Sequence, residues 1–184
     1  MRVITYDKLN DMEFLERFYK LIQPGFRVLD LGAGQGKQAK KALELGTQVI
    51  AIDRDEPMSR DPAIQWHIEP IEQWINSAEI HSFNAVLVRN VIQFFDKKFV
   101  ADTLLPKLKT LAKEKGVVAI ETFYRNPEPP FEKDFLSYWT KDELENNFAD
   151  WEIIYSTMYA ADGKDLGGQD RRFYRTNLIA KNRR

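Results

Sequence analysis

Phe14, Leu15, Phe18, Leu21 and Ile22 recur at helical spacing and form one apolar stripe. Asn10, three residues before Glu13, supplies a cap that predicts the start of this helix, and Pro24-Gly25 ends it. Apolar runs of strand character follow at 26–31 and Gln48–Asp53. Between them lies a predicted helix with Ala39, Ala42 and Leu43 on one face and Gly46 at its C-terminal end. After Asp53 only about ten residues, Pro57 and Pro62 among them, precede the next run, Ile64–Ile68. A crossover helix needs a dozen or more, so none is expected there.

Strands are predicted at 85–88 and 117–122, with a helix over 97–115 between them. Phe99, Val100, Leu104, Leu108, Leu111 and Ala112 form its apolar face, Pro106 should kink it, and Gly116 ends it. The proline-rich stretch 126–131 reads as loop, and Thr140 to Glu143 as a capping box opening a short helix. The segments 151–159 and 172–180 alternate as strands joined by a glycine-rich loop, 162–169, which predicts an antiparallel pair. The whole pattern is that of one α/β domain over 1–184. It comprises an N-terminal helix (1–23), a core (24–122), and a loop with C-terminal strands (123–184) around a mostly parallel, doubly wound, seven-stranded sheet. In such sheets ligands sit beyond the C-terminal strand ends, so candidate residues are sought there.

Composition narrows the function classes. The 184 residues are 43% hydrophobic and 30% charged, ordinary for a globular domain. With 27 basic against 28 acidic side chains, the net charge of −1 lacks the basic excess of a nucleic-acid binder and argues against that partner. The absence of cysteine excludes disulfides, thiolate metal sites and a cysteine nucleophile, and two histidines make a multi-histidine centre implausible; no metal is expected. No apolar run is long enough to span a bilayer, and the acidic start does not read as a signal peptide, so a cytoplasmic protein without a membrane partner is expected.

The chemistry concentrates after the first two strands. Asp30-Leu-Gly-Ala-Gly-Gln-Gly36 leads directly into a helix, where glycines allow a tight turn and close ligand approach. A dinucleotide fingerprint begun at Gly32 needs a glycine at Lys37, whereas this chain has it one residue earlier, at Gly36. That disfavours a nicotinamide-dependent oxidoreductase. Asp30, two residues before the first glycine, places a carboxylate beside the loop and suits a ligand with an ammonium group over one with a pyrophosphate. Asp53, at the next strand tip, has acceptors for a ribose diol.

Together Val28-Leu-Asp-Leu-Gly-Ala-Gly-Gln-Gly36 and Val49-Ile-Ala-Ile-Asp53 resemble the class I S-adenosylmethionine-dependent methyltransferases over about residues 24–122. The C-terminal part, with Ala149-Asp-Trp-Glu152 and Leu178-Ile-Ala-Lys181, looks like the tellurite-resistance branch of small-molecule methyltransferases. The resemblance implies a Rossmann-like fold and S-adenosyl-L-methionine as cofactor. It implies that Asp30, Gly32, Ala33 and Gly34 contact the methionine end, and that Asp53 holds the ribose with Arg54 alongside. Lys37 and Gln38 stand where the branch has Arg then Asn; the charge survives without bidentate geometry. Glu69 is placed as the acid that reads the adenine amino group, with a second register putting Pro70 there. Arg89-Asn-Val91 faces the methionine moiety and the acceptor, and no Asn/Asp-Pro-Pro-aromatic motif for planar amino nitrogens occurs.

A small-molecule acceptor, such as a thiol or an oxyanion, is expected, because such groups need no general base and no catalytic dyad stands out. Glu121, Tyr124 and His67 are base-type residues near strand ends, each with an ordinary structural role open to it. Tyr6, Tyr124 and Trp139 are the substrate candidates, with Phe123, Phe131, Phe135 and Tyr138 forming either a substrate wall or a lid's own core. Arg171, Arg172 and Arg175 either face an anionic substrate or lie on a solvated strand face, and the solvated face is the expected reading. A non-catalytic cofactor-binding module is the alternative function.

Overall fold

The apolar runs form β1 (Arg27–Leu31), β2 (Gln48–Asp53), β3 (Ile64–Ile68), β4 (Phe83–Arg89), β5 (Ala112–Phe123), β6 (Glu152–Lys164) and β7 (Asp170–Lys181). Helices α1 (Tyr6–Lys20), α2 (Lys37–Glu44), α3 (Ile71–Ser77), α4 (Lys97–Phe99), α5 (Leu105–Leu111) and α6 (Lys141–Asn147) complete the fold. The structure, a computed structural model, describes residues 6–125, 135–164 and 170–184.

All seven strands lie in one sheet in the order β3-β2-β1-β4-β5-β7-β6. The first five run parallel, and β7 is antiparallel to both β5 and β6. The order reverses between β1 and β4, so the crevice of this α/β sheet opens beside the tips of those two strands. Continuous apolar strands need cover on both faces. On one face α1 and α2 bury Phe14, Phe18, Ala39 and Ala42 against Val49, Ala85 and Ala119. On the other, α3, α5 and α6 bury Trp74, Leu108 and Phe148 against Leu31, Val86 and Ile120. Full burial of each large side chain contributes roughly 1.5–3 kcal/mol.

The expected short link holds: β2 pairs directly with β3 in parallel, and no helix intervenes. Four local readings need correction. First, α1 begins at Tyr6, so Asn10 lies inside it, and Glu13 pairs with Arg17 at 2.7 Å instead of completing a cap. Second, the predicted 97–115 helix is interrupted by a π turn, Val100–Leu104, just before Pro106. Proline has no N–H for the carbonyl four residues back, which frees the preceding turn to widen. Third, that helix stops at Leu111 and β5 starts at Ala112, with Lys115 at φ 58°. Fourth, α3 occupies a segment for which the strand pattern gave no element; it buries Ile71, Trp74 and Ile75.

Candidate functional site

At the end of β1 the chain turns onto the tip of β2. The amides of Gly32 and Ala33 both donate to the Ile52 carbonyl, at 2.8 and 3.0 Å. Gly32 has φ +75°, and a Cβ there would stand 2.2 Å from Val91 Cγ2. Gly34 has φ +54°, and nothing lies within 4 Å of where its Cβ would be. One glycine is therefore demanded by packing, while the other borders open space.

The Gly34 amide donates to Asp53 Oδ2 at 2.7 Å, and the Asp55 amide donates to Oδ1 at 3.0 Å. Each oxygen keeps a second lone pair for a hydroxyl donor. Arg54 is largely exposed and pairs with its neighbour Asp55 at 3.5 Å. Glu69 follows β3, its amide donating to the Asp53 carbonyl at 3.0 Å, and its carboxylate lies 3.7 Å from His67 Nδ1. The link after β2 is tethered to the glycine loop, because the Met58 amide donates to Gln35 Oε1 at 2.9 Å. Lys37 is exposed at the start of α2.

Asp30 is buried on the sheet side of the same loop, and its Oδ2 has no hydrogen-bond partner. Burial pushes its carboxyl up to about 7, the Asp53 charge adding to this, while the Ala39 amide and Arg89 oppose it. Tyr19 of α1 also reaches this spot and was missed in the sequence, since it stands outside the apolar stripe of that helix and belongs to no motif. Its hydroxyl donates to Gln38 Oε1 at 2.7 Å, and its phenol is held above its ordinary range by burial and then by Asp30.

At the tips of β4 and β5, beside the middle of β7, stands a charged cluster. Glu121 is fully buried, and its Oε1 pairs with Arg89 Nε at 2.9 Å and Arg175 Nη1 at 2.6 Å. Arg175 Nη1 also donates to Asn90 Oδ1 at 3.3 Å. Asn90 holds the left-handed backbone with φ 56°, its amide donating to the Glu121 carbonyl at 2.8 Å. A non-glycine residue held there marks a place that the surroundings over-determine. Arg175 thus corrects the solvated-face expectation, because β7 lies inside the sheet between β5 and β6. Arg172 is exposed and 3.9 Å from Asp162. The side chain of Arg171 lies outside the described residues.

The substrate candidates part company. Trp139 is a core residue, 2% exposed, with Nε1 donating to Ser137 Oγ at 3.0 Å, so its ring does not line the crevice. Tyr124 follows β5, in edge contact with Tyr174, and burial raises its phenol pKa. The side chain of Tyr6, like Phe131, lies outside the described residues. Phe135 stacks on Phe123 at 4.8 Å and meets Phe94 and Tyr138 edge-on. Glu121, a base-type residue in the sequence, is buried against the guanidinium groups of Arg89 and Arg175. Among the described residues no group of three or more His, Asp or Glu could hold a metal, and no helix is long and apolar enough to cross a membrane.

These residues fit a ligand with an ammonium group and a ribose. Asp30 offers an orphaned carboxylate oxygen, Gly34 an open backbone, and Asp53 acceptors at the adjoining tip. The methyltransferase domain family matches residues 29–120, the stretch that contains the loop and both aspartates. TehB from Haemophilus influenzae has a similar structure, with TM-score 0.74, 20% identity, and coverage of 91% of this chain and 61% of that one. The chain thus spans about three fifths of the TehB chain's length. Burkholderia thailandensis 1,6-didemethyltoxoflavin-N1-methyltransferase, solved with 1,6-didemethyltoxoflavin and S-adenosylhomocysteine, is similar at TM-score 0.72 and 17% identity, covering 98% and 81%. Haemonchus contortus phosphoethanolamine N-methyltransferase 2, solved with phosphomonomethylethanolamine and S-adenosylhomocysteine, reaches TM-score 0.72 at 16% identity, covering 96% and 53%. At such identities these likenesses establish the fold. No curated protein sequence matches the chain.

Proposed function

The chain belongs to the methyltransferase domain family, and we propose that it moves a methyl group from S-adenosyl-L-methionine to a small-molecule acceptor. The observation that carries this reading is the pair of carboxylates, Asp30 and Asp53, on neighbouring parallel strand tips with the glycine loop between them. When bound, the sulfonium supplies an already activated methyl group.

The chain's own residues then bind, orient and exclude water. Asp30 receives the ammonium of the methionine end, and the backbone of Gly32, Ala33 and Gly34 lies along it. Arg89 stands close enough to influence Asp30 and faces the same end. Asp53 accepts the ribose hydroxyls with Arg54 alongside, and Glu69, at the next tip, receives the adenine amino group. Lys37, exposed on the first turn of α2, adds positive charge at the loop. Tyr19 closes the crevice from α1, and Tyr124 borders its acceptor side. Holding the acceptor in line with the methyl carbon is the main catalytic task, worth roughly 7–11 kcal/mol when the alignment is good.

The test is calorimetric titration of the full chain with S-adenosylhomocysteine, followed by mass spectrometry of small-molecule extracts incubated with chain and donor. Micromolar binding and a product one methyl group heavier are expected. No heat at millimolar ligand sinks the reading.

A further inference from the structure

Asn177 lies within β7, level with Glu121 on β5 and Thr157 on β6. Residues opposite one another in a ladder share a face, as do residues two apart on a strand. Ile179 and Ala119, two residues from Asn177 and Glu121, belong to the same packed cluster as Phe14 and Phe18 of α1. Asn177 therefore points to the α1 side of the sheet. Asp30 is on that side as well, because Val28 packs in the same cluster. Asp30 stands level with Leu87 and, through it, with Ala119. Asn177 is thus three strands from Asp30 and two residues further along toward the tips of the parallel strands. With strands about 4.8 Å apart, the two backbones are separated by roughly 16 Å. That leaves room for the donor's amino-acid end, its methyl group and a small acceptor in line.

Asn177 is fully buried, yet among the described residues neither atom of its carboxamide has a hydrogen-bond partner. Glu121 and Thr157 flank it, and neither bonds to it. A carboxamide can donate twice and accept twice, and burying it with none of these bonds made is costly. Packed interiors satisfy nearly all such groups, and an apolar residue of the same size would avoid the cost altogether. On the same face Asp30 Oδ2 is also without a partner, and the donor's ammonium accounts for it. Asn177 lies too far from that ammonium to share it, so it calls for a second ligand.

We propose that Asn177 binds the methyl acceptor, and that the acceptor presents a neutral N–H beside a C=O, as a lactam or cyclic imide does. The asparagine side chain sets an oxygen acceptor next to an N–H donor, and such an edge closes two parallel hydrogen bonds with its complement. A carboxamide has no charge to balance another, which suits a neutral group in a buried place. The inference rests on the methyl-donor reading of Asp30, since the acceptor is what lies between that end and β7. Because Asn177 is fully buried on the α1 side, α1 eases away from the sheet as the acceptor enters.

The experiment titrates the full chain, with and without saturating S-adenosylhomocysteine, with 2-pyridone and N-methyl-2-pyridone. The second compound has the same ring and carbonyl but lacks the N–H. 2-Pyridone should bind at least about tenfold more tightly. Asn177→Leu keeps the size and removes the edge; it should abolish the preference while S-adenosylhomocysteine binding stays within about twofold. This variant should melt at or above the wild-type temperature, because the unpaired amide is gone. Asn177→Ser, which is smaller and cannot clash, is measured beside it, and the same loss of preference is expected. A merely structural asparagine would leave the preference intact in either folded variant, and that result overturns the proposal. So does equal binding of the two pyridones by the wild type, or no binding of 2-pyridone at millimolar concentration. Failure of S-adenosylhomocysteine to bind overturns the donor reading separately, because the pyridone comparison is also made without it.

Discussion

The Gly34 amide donates to Asp53 Oδ2 at 2.7 Å, so the residue that leaves room for a ligand also orients the acid beside it. The loop after β1 and the tip of β2 thus behave as one rigid cradle, with Gly32 pinned from below by Val91.

Asp53→Asn tests the acid while keeping the Gly34 contact, because the asparagine oxygen can still accept from that amide. What is lost is the charge and one acceptor, with the hydrogen bond from the exposed Asp55 amide. A hydrogen bond to a charged group contributes roughly 1.5–3 kcal/mol, so S-adenosylhomocysteine affinity should fall roughly 10- to 100-fold with little change in thermal stability. Calorimetry and a melting curve on the same sample separate the two, and unchanged affinity removes Asp53 from the ribose role.

The two loop glycines should respond differently to alanine. At Gly32 the new methyl meets Val91 at 2.2 Å in a left-handed backbone, so Gly32→Ala should destabilise the fold by about 2–4 kcal/mol in urea unfolding. At Gly34 the methyl meets no atom, so Gly34→Ala should cost about 1–2 kcal/mol while weakening S-adenosylhomocysteine binding severely. Equal stability losses, with intact ligand binding in Gly34→Ala, contradict the division between packing and ligand contact.

Trp139 should prove structural. Its Nε1 donates to Ser137 Oγ at 3.0 Å, its carbonyl accepts from Thr176 Oγ1 at 2.6 Å, and its ring is 2% exposed. Trp139→Phe removes the ring N–H and leaves a void, for a loss of roughly 1–3 kcal/mol. Donor affinity should stay within about twofold of wild type, whereas a selective loss of acceptor binding without destabilisation restores the ring to the substrate wall.

Legibility in the sequence followed range. Asp30, the glycines and Asp53 were readable because one strand, one turn and one strand place them, and the short link after Asp53 excluded a helix by length alone. The Arg89–Glu121–Arg175 cluster was not, because it depends on β7 inserting between β5 and β6 instead of pairing outside β6. Alternation along β7 is the same in either position. The extent of the helix before β5 was misread because Ala112 continues the apolar spacing, while the turn around Lys115 at φ 58° carries no sequence mark in a lysine. Aromatic density around 123–139 likewise could not separate Trp139, in the core, from Phe135 and Tyr138, which are half-buried.

Asp30 makes the stability of the chain depend on pH in an unusual direction. Burial pushes its carboxyl up to about 7 from the ordinary 3.8, so the folded chain holds the proton more tightly than the unfolded one. Between those two values the folded state binds more protons, and unfolding free energy falls as pH rises. This group's stabilising effect is present in full below about pH 4 and is gone above about pH 7, a difference of at most about 4 kcal/mol. Asp30→Asn keeps the shape and cannot ionise, so urea unfolding of wild type minus variant should decline from about pH 5 to about pH 7.5. A ligand ammonium reverses the preference, because it favours the ionised carboxyl. Wild-type affinity for S-adenosylhomocysteine should therefore climb from about pH 6 and level off near pH 8, while the variant binds weakly at every pH. A wild-type profile parallel to that of Asp30→Asn in both measurements removes Asp30 from the ammonium-binding role.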